Sequence, residues 1–151
     1  MAFLVATIDA PAVALVAATA KTVAMVTAAA NQCVRVKEIR VTFDGATSTA
    51  TPVKIETGRP SSAGTFTAAT LRKKDTARAE TIQTTGGINA SAEPTWTTVI
   101  DDTAYIPAYG GVYHYIAPFD NPIIVAGGAR YGVRCTAPAN VNSSTKMDVE
   151  E

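Results

Sequence analysis

The sequence predicts an all-β chain, a jelly-roll β-sandwich of eight to ten antiparallel strands with an extended N-terminal arm. Short runs rich in β-branched and aromatic residues recur at intervals of roughly ten residues, separated by clusters of Gly, Pro, Asp, Asn and Ser. No segment after position 30 sustains a helical period. Within most runs apolar and polar residues alternate, as strands with one buried face require. Eight strands at this spacing are commonly solved as a jelly roll. An immunoglobulin-like sandwich is the alternative, but Trp96 is far from Cys33 and Cys135 in sequence, so the Cys and Trp framework of that fold is missing.

The chain opens "MAFLVATIDAPAVALVAATAKT". It lacks a basic leader region, and Asp9 and Pro11 interrupt its apolar run, so neither a signal peptide nor a membrane span is expected. Residues 11–30 admit an Ala-rich helix started near Pro11, or an extended arm that leads into a strand. Val13, Val16, Val23, Val26 and several Thr favour the extended form, because β-branched side chains lose rotamer freedom in a helix. The expected organisation is an arm over residues 1–20 and a sandwich domain over residues 21–151. Phe3, Leu4, Val5 and Ile8 are the expected interaction residues of the arm: they are too apolar to remain in water, so the arm is expected to lie on a neighbour, with packing back on its own domain as the alternative.

The first strand expected is "KTVAMVTA", residues 21–28, and the next runs from Cys33 to Phe43. There Val34 and Val36 are apolar at even positions but Ile39, Val41 and Phe43 at odd ones. One extra residue at Lys37–Glu38 restores a single buried face, which predicts a β-bulge. "TPVKIETG" (51–58) and "TFTAATLRK" (65–73) follow as strands, "AETIQTT" (79–85) is a weaker candidate, and "GGINASAEPTW" is expected to be a loop. Further strands are expected at "TTVIDDT" (97–103), "GVYHYIAP" (111–118), "NPIIVAGG" (121–128), "RYGVRCTAP" (130–138) and "STKMDVEE" (144–151).

Composition narrows the function classes. At 151 residues the chain has the size of one domain and needs no staples to bury a core. Its 13 basic and 13 acidic residues leave no electrostatic footprint for nucleic acid or an anionic membrane, so neither is an expected partner. The two cysteines stand without Cys or His at metal-ligand spacing; free buried thiols are expected, although the strands holding them could pair and allow a disulfide.

No stretch carries legible catalytic chemistry, so no catalytic, cofactor-binding or metal residue is expected and the chain is not expected to be an enzyme. His114 is the only histidine and has no Ser or Cys nucleophile motif, which makes it structural. Asp101 and Asp102 are neighbours on a strand and should face opposite sides, although a turn could bring both to a cation. The glycine pairs 86–87, 110–111 and 127–128 read as turns, and none precedes a helix as a phosphate loop would. "LRKKDTAR" gathers Arg72, Lys73, Lys74 and Arg78, a solvated strand end or a docking surface for an acidic protein. Tyr105, Tyr109, Tyr113 and Tyr115 suit a core, an interface or a sugar-binding face.

The succession of "MAFLVATIDAPAVALVAATAKTV", "VRVKEIRVTFDG", "AETIQTTGGINASAEPT" and a Gly-punctuated pair of strands ending in "DVEE" resembles head decoration (cement) proteins of tailed bacteriophages with a jelly-roll fold. The likeness covers nearly the whole chain and rests on strand pattern and composition. It implies a virion protein, assembled in the host cytoplasm, that binds the major capsid protein on the outer capsid surface as a homotrimer and stabilises the shell. It implies no catalytic residue and no cofactor. The alternative is a phage tail or receptor-binding module that binds glycan through the tyrosine-rich segment.

Overall fold

The computed structural model describes residues 3–47, 50–96, 100–119 and 121–151. Within them the chain is all-β and has no helix: β1 (Val5–Leu15), β2 (Ala20–Thr27), β3 (Val34–Phe43), β4 (Val53–Gly58), β5 (Thr65–Ala69), β6 (Arg72–Lys73), β7 (Thr85–Ala92), β8 (Ile100–Ile106), β9 (Val112–Ile116), β10 (Ile123–Val125), β11 (Arg130–Thr136) and β12 (Val141–Glu150). The strands form two antiparallel sheets. The first runs β10-β3-β12-β1-β6, with β9 also paired to β3, and the second runs β5-β7-β2-β11-β4-β8. Their inner faces enclose one core that includes Ile8, Leu15, Val26, Ile39, Ile55, Tyr131 and Met147. Full burial of such side chains contributes about 1.5–3 kcal/mol each before ordering entropy is subtracted.

The change of phase in β3 is a bulge at Lys37. Opposite β12, Asp148 pairs with Glu38 and Val149 with Val36, so Lys37 is the extra residue. Val34, Val36, Ile39 and Val41 consequently all lie in the core at 0% exposure. On its other side β3 pairs with β9 through Glu38–Thr42 and with β10 through Val34–Val36. The bulge therefore marks the handover between two edge strands, and the Lys37 carbonyl accepts the Ala117 N–H at 2.8 Å.

The N-terminal segment differs from the expected arm. Residues 5–15 form β1 inside the first sheet, paired with β12 on one side and β6 on the other. No boundary at residue 20 separates arm from sandwich, because β1 supplies Ala6, Ile8, Ala10, Val13 and Leu15 to the shared core. Pro11 does not break the strand, because a second bulge absorbs it: Ala10 pairs with Thr145 and Val13 with Ser143, and Ala12 between them has φ 50°. Proline has no ladder donor to lose at a bulge. Residues 20–27, the second half of the helix-or-extended segment, are β2.

The middle of the chain also departs from expectation. "TFTAATLRK" divides into β5 and β6, which belong to different sheets. "AETIQTT" contributes only Thr85 to a strand, whereas the expected loop "GGINAS" lies within β7. Gly86 and Gly87 are there for close approach and not for a turn. A Cβ at Gly86 would lie 2.5 Å from Ile8 Cδ1, and one at Gly87 2.6 Å from Phe66 Cβ. Of the strand expected over residues 97–103, residues 97–99 lie outside the described residues. The cysteines are free and not adjacent, and only one is buried as expected: Cys33 precedes β3, outside the ladder, and is exposed, whereas Cys135 is buried in β11 of the other sheet. Burial pushes the Cys135 thiol up to about 12.

Candidate functional site

The interaction residues expected on the arm are mostly turned inward. Leu4 and Ile8 are buried and Val5 is half-buried, leaving only Phe3 exposed, with the Arg35 guanidinium 4.7 Å from its ring centroid. The Leu4 and Glu151 backbones exchange hydrogen bonds of 2.9 and 3.0 Å, which tie this end to the strand beside it. The basic cluster is likewise engaged within the chain. Arg72 pairs with Asp9, Lys74 with Asp148, and Arg78 with Glu80. Lys73 donates to the carbonyls of Arg78 and Glu80. These residues fasten the β6 segment and the turn after it to β1 and β12, so the sequence cluster is a clasp.

Exposed apolar surface gathers elsewhere, along the rim where β8, the edge of the second sheet, meets β9 and β10 at the edge of the first. Ile100, Tyr105, Tyr109, Val112, Ile116, Phe119 and Ile124 are all exposed there, and among the described residues the other exposed large hydrophobics are Phe3 and Val16. Strand alternation accounts for part of the pattern. In β9, Val112, His114 and Ile116 point outward while Tyr113 points into the core at 7% exposure. Phe119, in the turn between β9 and β10, is 98% exposed.

Polar contacts hold this rim together. β8 bulges at Asp101, because Asp102 pairs with Thr57 and Ile100 with Gly58. The bulge overrides the alternation expected for adjacent residues, and both carboxylates find partners on the rim. Asp101 takes the Arg59 guanidinium at 2.5 Å, and Asp102 accepts the Tyr113 hydroxyl at 2.7 Å. The second bond links the two sheets directly, since Tyr113 belongs to the first and Asp102 to the second. Arg59 also donates to the Ile124 carbonyl at 3.4 Å. Burial, then the hydrogen bond to Asp102, raises the Tyr113 phenol well above its ordinary value. Tyr131 is raised by burial, partly relieved by its contact with Thr57. Both phenols stay neutral and serve as structural posts.

A concavity of about 480 Å³ beside these bonds is lined by Arg59, Asp101, Tyr115, Asn121 and Ile124, among others. His114 lies apart from it, with Nε2 2.9 Å from Glu38 Oε1 on the exposed face of β9 and β3. Among the described residues no three His, Cys, Asp or Glu side chains converge to hold a metal. The tyrosine-rich segment thus divides by burial: Tyr105 and Tyr109 are available for contact, whereas Tyr113 is not. No protein-family model, curated protein or solved structure matches this chain.

Proposed function

We propose that the chain is a structural virion protein that binds the outer surface of an assembled phage capsid through its β8–β9–β10 rim, as a trimer, and stabilises the shell. The observation that carries this reading is the apolar rim with Phe119 at 98% exposure. A contiguous exposed apolar surface marks a contact site, and burying one Phe side chain contributes about 1.5–3 kcal/mol. The rim is also a pair of adjacent sheet edges, whose unpaired backbone groups are available to a partner.

The fold we propose within this reading is the jelly roll. The strand order β1-β12-β3-β9, facing β2-β11-β4-β8, supports it, with β5, β6 and β7 as additions at the far edges. The partner is the major capsid protein. The test adds purified protein to empty expanded capsids. Stoichiometric co-sedimentation and a higher capsid melting temperature are expected, while a monomer that stays in the supernatant contradicts the proposal.

The glycan-binding alternative keeps one favourable observation, the exposure of Tyr105 and Tyr109 at 62% and 60%. A glycan array distinguishes it: binding that is lost in Tyr105→Ala and Tyr109→Ala, without capsid binding, selects that reading.

A further inference from the structure

We propose that the outer face of the first sheet carries a docking site for the carboxylates of an acidic protein segment, centred on Arg40 and Lys146. Both residues point outward because their neighbours point inward: Ile39 and Val41 are at 0% exposure, Thr145 at 3% and Met147 at 0%. The register then sets Arg40 directly opposite Lys146 on adjacent strands. Like charges in directly opposed cross-strand positions destabilise a sheet, so a pair kept there calls for an anion.

The flanking positions supply one to Lys146 only in part, and none to Arg40 among the described residues. The residue opposite Arg40 on its other side is His114, which is bonded to Glu38. The residue opposite Lys146 on its other side is Asp9, which is paired with Arg72. Asp148 lies 3.7 Å from Lys146 but already accepts the Thr7 hydroxyl at 2.6 Å and pairs with Lys74. Arg40 has no hydrogen bond or ion pair among the described residues.

The surface over the pair is concave. A hollow of about 340 Å³ is lined by Asp9, Pro11, Arg40, Thr42, Ser144 and Lys146, among others. A second, of about 420 Å³, shares Asp9 and Lys146 and continues over Lys73 and Lys74. Together they cross β3, β12, β1 and β6, about 14 Å at the usual strand spacing, which suits roughly four residues of extended peptide. Arg40, Arg72, Lys73, Lys74 and Lys146 outnumber Asp9 and Asp148 here, in a chain whose formal net charge is zero. Asp9 in the floor would repel a continuous phosphate backbone, whereas a peptide can place its carboxylates over the cations alone. The site is centred one strand away from the outward residues of β9, since Arg40 pairs with His114, and it is tested without reference to whether the rim binds a capsid.

The test titrates isotope-labelled protein with hexaglutamate and, separately, with inorganic phosphate, following backbone amide shifts. Hexaglutamate is expected to shift amides of β3 and β12 around Arg40 and Lys146. Its affinity should fall at least about tenfold in Arg40→Glu and in Lys146→Glu, be unchanged in Lys21→Glu, and vanish near 1 M salt, where the Debye length is about 3 Å. Arg40→Glu should also melt higher than the parent, since it removes the like-charge contact, and this shows that lost binding is not lost folding. Affinity unchanged in Arg40→Glu, no hexaglutamate binding tighter than about 1 mM, or phosphate bound as tightly at the same residues would each overturn the proposal.

Discussion

The outer faces of the two sheets meet their surroundings differently. On the second sheet the chain covers itself. The segment after β7 lays Trp96 over the strands, so that a Cβ at Gly132 would be 3.5 Å from Trp96 Cζ2. Trp96 Nε1 donates to Thr22 Oγ1 at 2.8 Å, Glu93 accepts from the Thr22 N–H at 2.8 Å, and the Arg134 guanidinium sits 4.7 Å from the Trp96 ring centroid. Charge is neutralised locally as well, with Glu56 held between Lys54 and Arg134 at 2.8 and 2.9 Å. On the first sheet the cover is partial among the described residues: the Phe3 ring lies 4.7 Å from the Arg35 guanidinium and Lys74 pairs with Asp148, while Arg40 and the apolar β9–β10 edge stay exposed. A face that is covered by its own chain has little left to offer a partner. The open face and the rim are the surfaces on which the two proposals rest.

The comparison is broken most severely by uncovering the second sheet. Trp96→Ala should cost about 2–3 kcal/mol, the low end for a large aromatic because the residue is only half-buried. Urea denaturation measures it, and a loss below about 0.5 kcal/mol would show that the covering segment is incidental.

Next in size is the charge network of the first sheet. Asp148→Asn should cost about 1–2 kcal/mol, since it weakens bonds from Thr7 and Lys74 to a carboxylate whose side chain is 2% exposed. The same residue sets an acid limit. Burial alone would raise the Asp148 carboxyl, but hydrogen bonds from Lys74 and Thr7 outweigh it and hold the group below its ordinary value of 3.8. Glu56 behaves alike: burial opposes, and Lys54 and Arg134 prevail, below an ordinary value of 4.5. Because both are depressed in the folded state, their stabilisation is present above the unfolded values and is lost as pH falls through the folded ones. Stability should thus decline below about pH 4.5. Asp148→Asn and Glu56→Gln should each flatten part of that decline in pH-dependent melting.

A smaller effect is expected at the inter-sheet bond on the rim. Tyr113→Phe should cost about 0.5–1 kcal/mol by removing one hydrogen bond to an exposed carboxylate. Tyr113 and Tyr131 are both raised in the folded state, so stability is full below the unfolded value of 10.0 and falls as pH rises above it. Tyr113→Phe should shift that alkaline limit upward. The smallest change concerns reactivity alone: a thiol reagent should label exposed Cys33 in the native protein and reach buried Cys135 only after unfolding. Rapid native labelling of both would contradict the packing of β11.

Much of the strand pattern was legible because alternation depends only on local sequence. The Lys37 bulge could be read because two polar residues interrupt a strong apolar alternation. The same signal exists in β1, where Ile8 and Ala10 are buried at even positions and Val13 and Leu15 at odd ones. In sequence Pro11 looks like an interruption instead, since alanines make the alternation weak and proline usually ends pairing. β7 was misread because its glycines answer to Ile8 and Phe66, which are remote in sequence. The rim was legible only in part. Tyrosine content marked the segment, but the Asp101 bulge that turns two adjacent carboxylates to partners leaves no trace in "TTVIDDT". The opposition of Arg40 and Lys146 depends on strand register, so it could be found only once β3 and β12 were paired.

If the rim is the contact surface, as proposed, exposed apolar side chains elsewhere take no part in binding. Co-sedimentation with empty expanded capsids separates the two, comparing Ile116→Asp and Phe119→Asp with Val16→Asp, a residue 59% exposed in the turn between β1 and β2. Both rim variants should lose binding at least about tenfold while melting like the parent, and Val16→Asp should bind normally. Rim variants that bind as well as the parent, or a Val16→Asp variant that alone fails, would contradict the proposal.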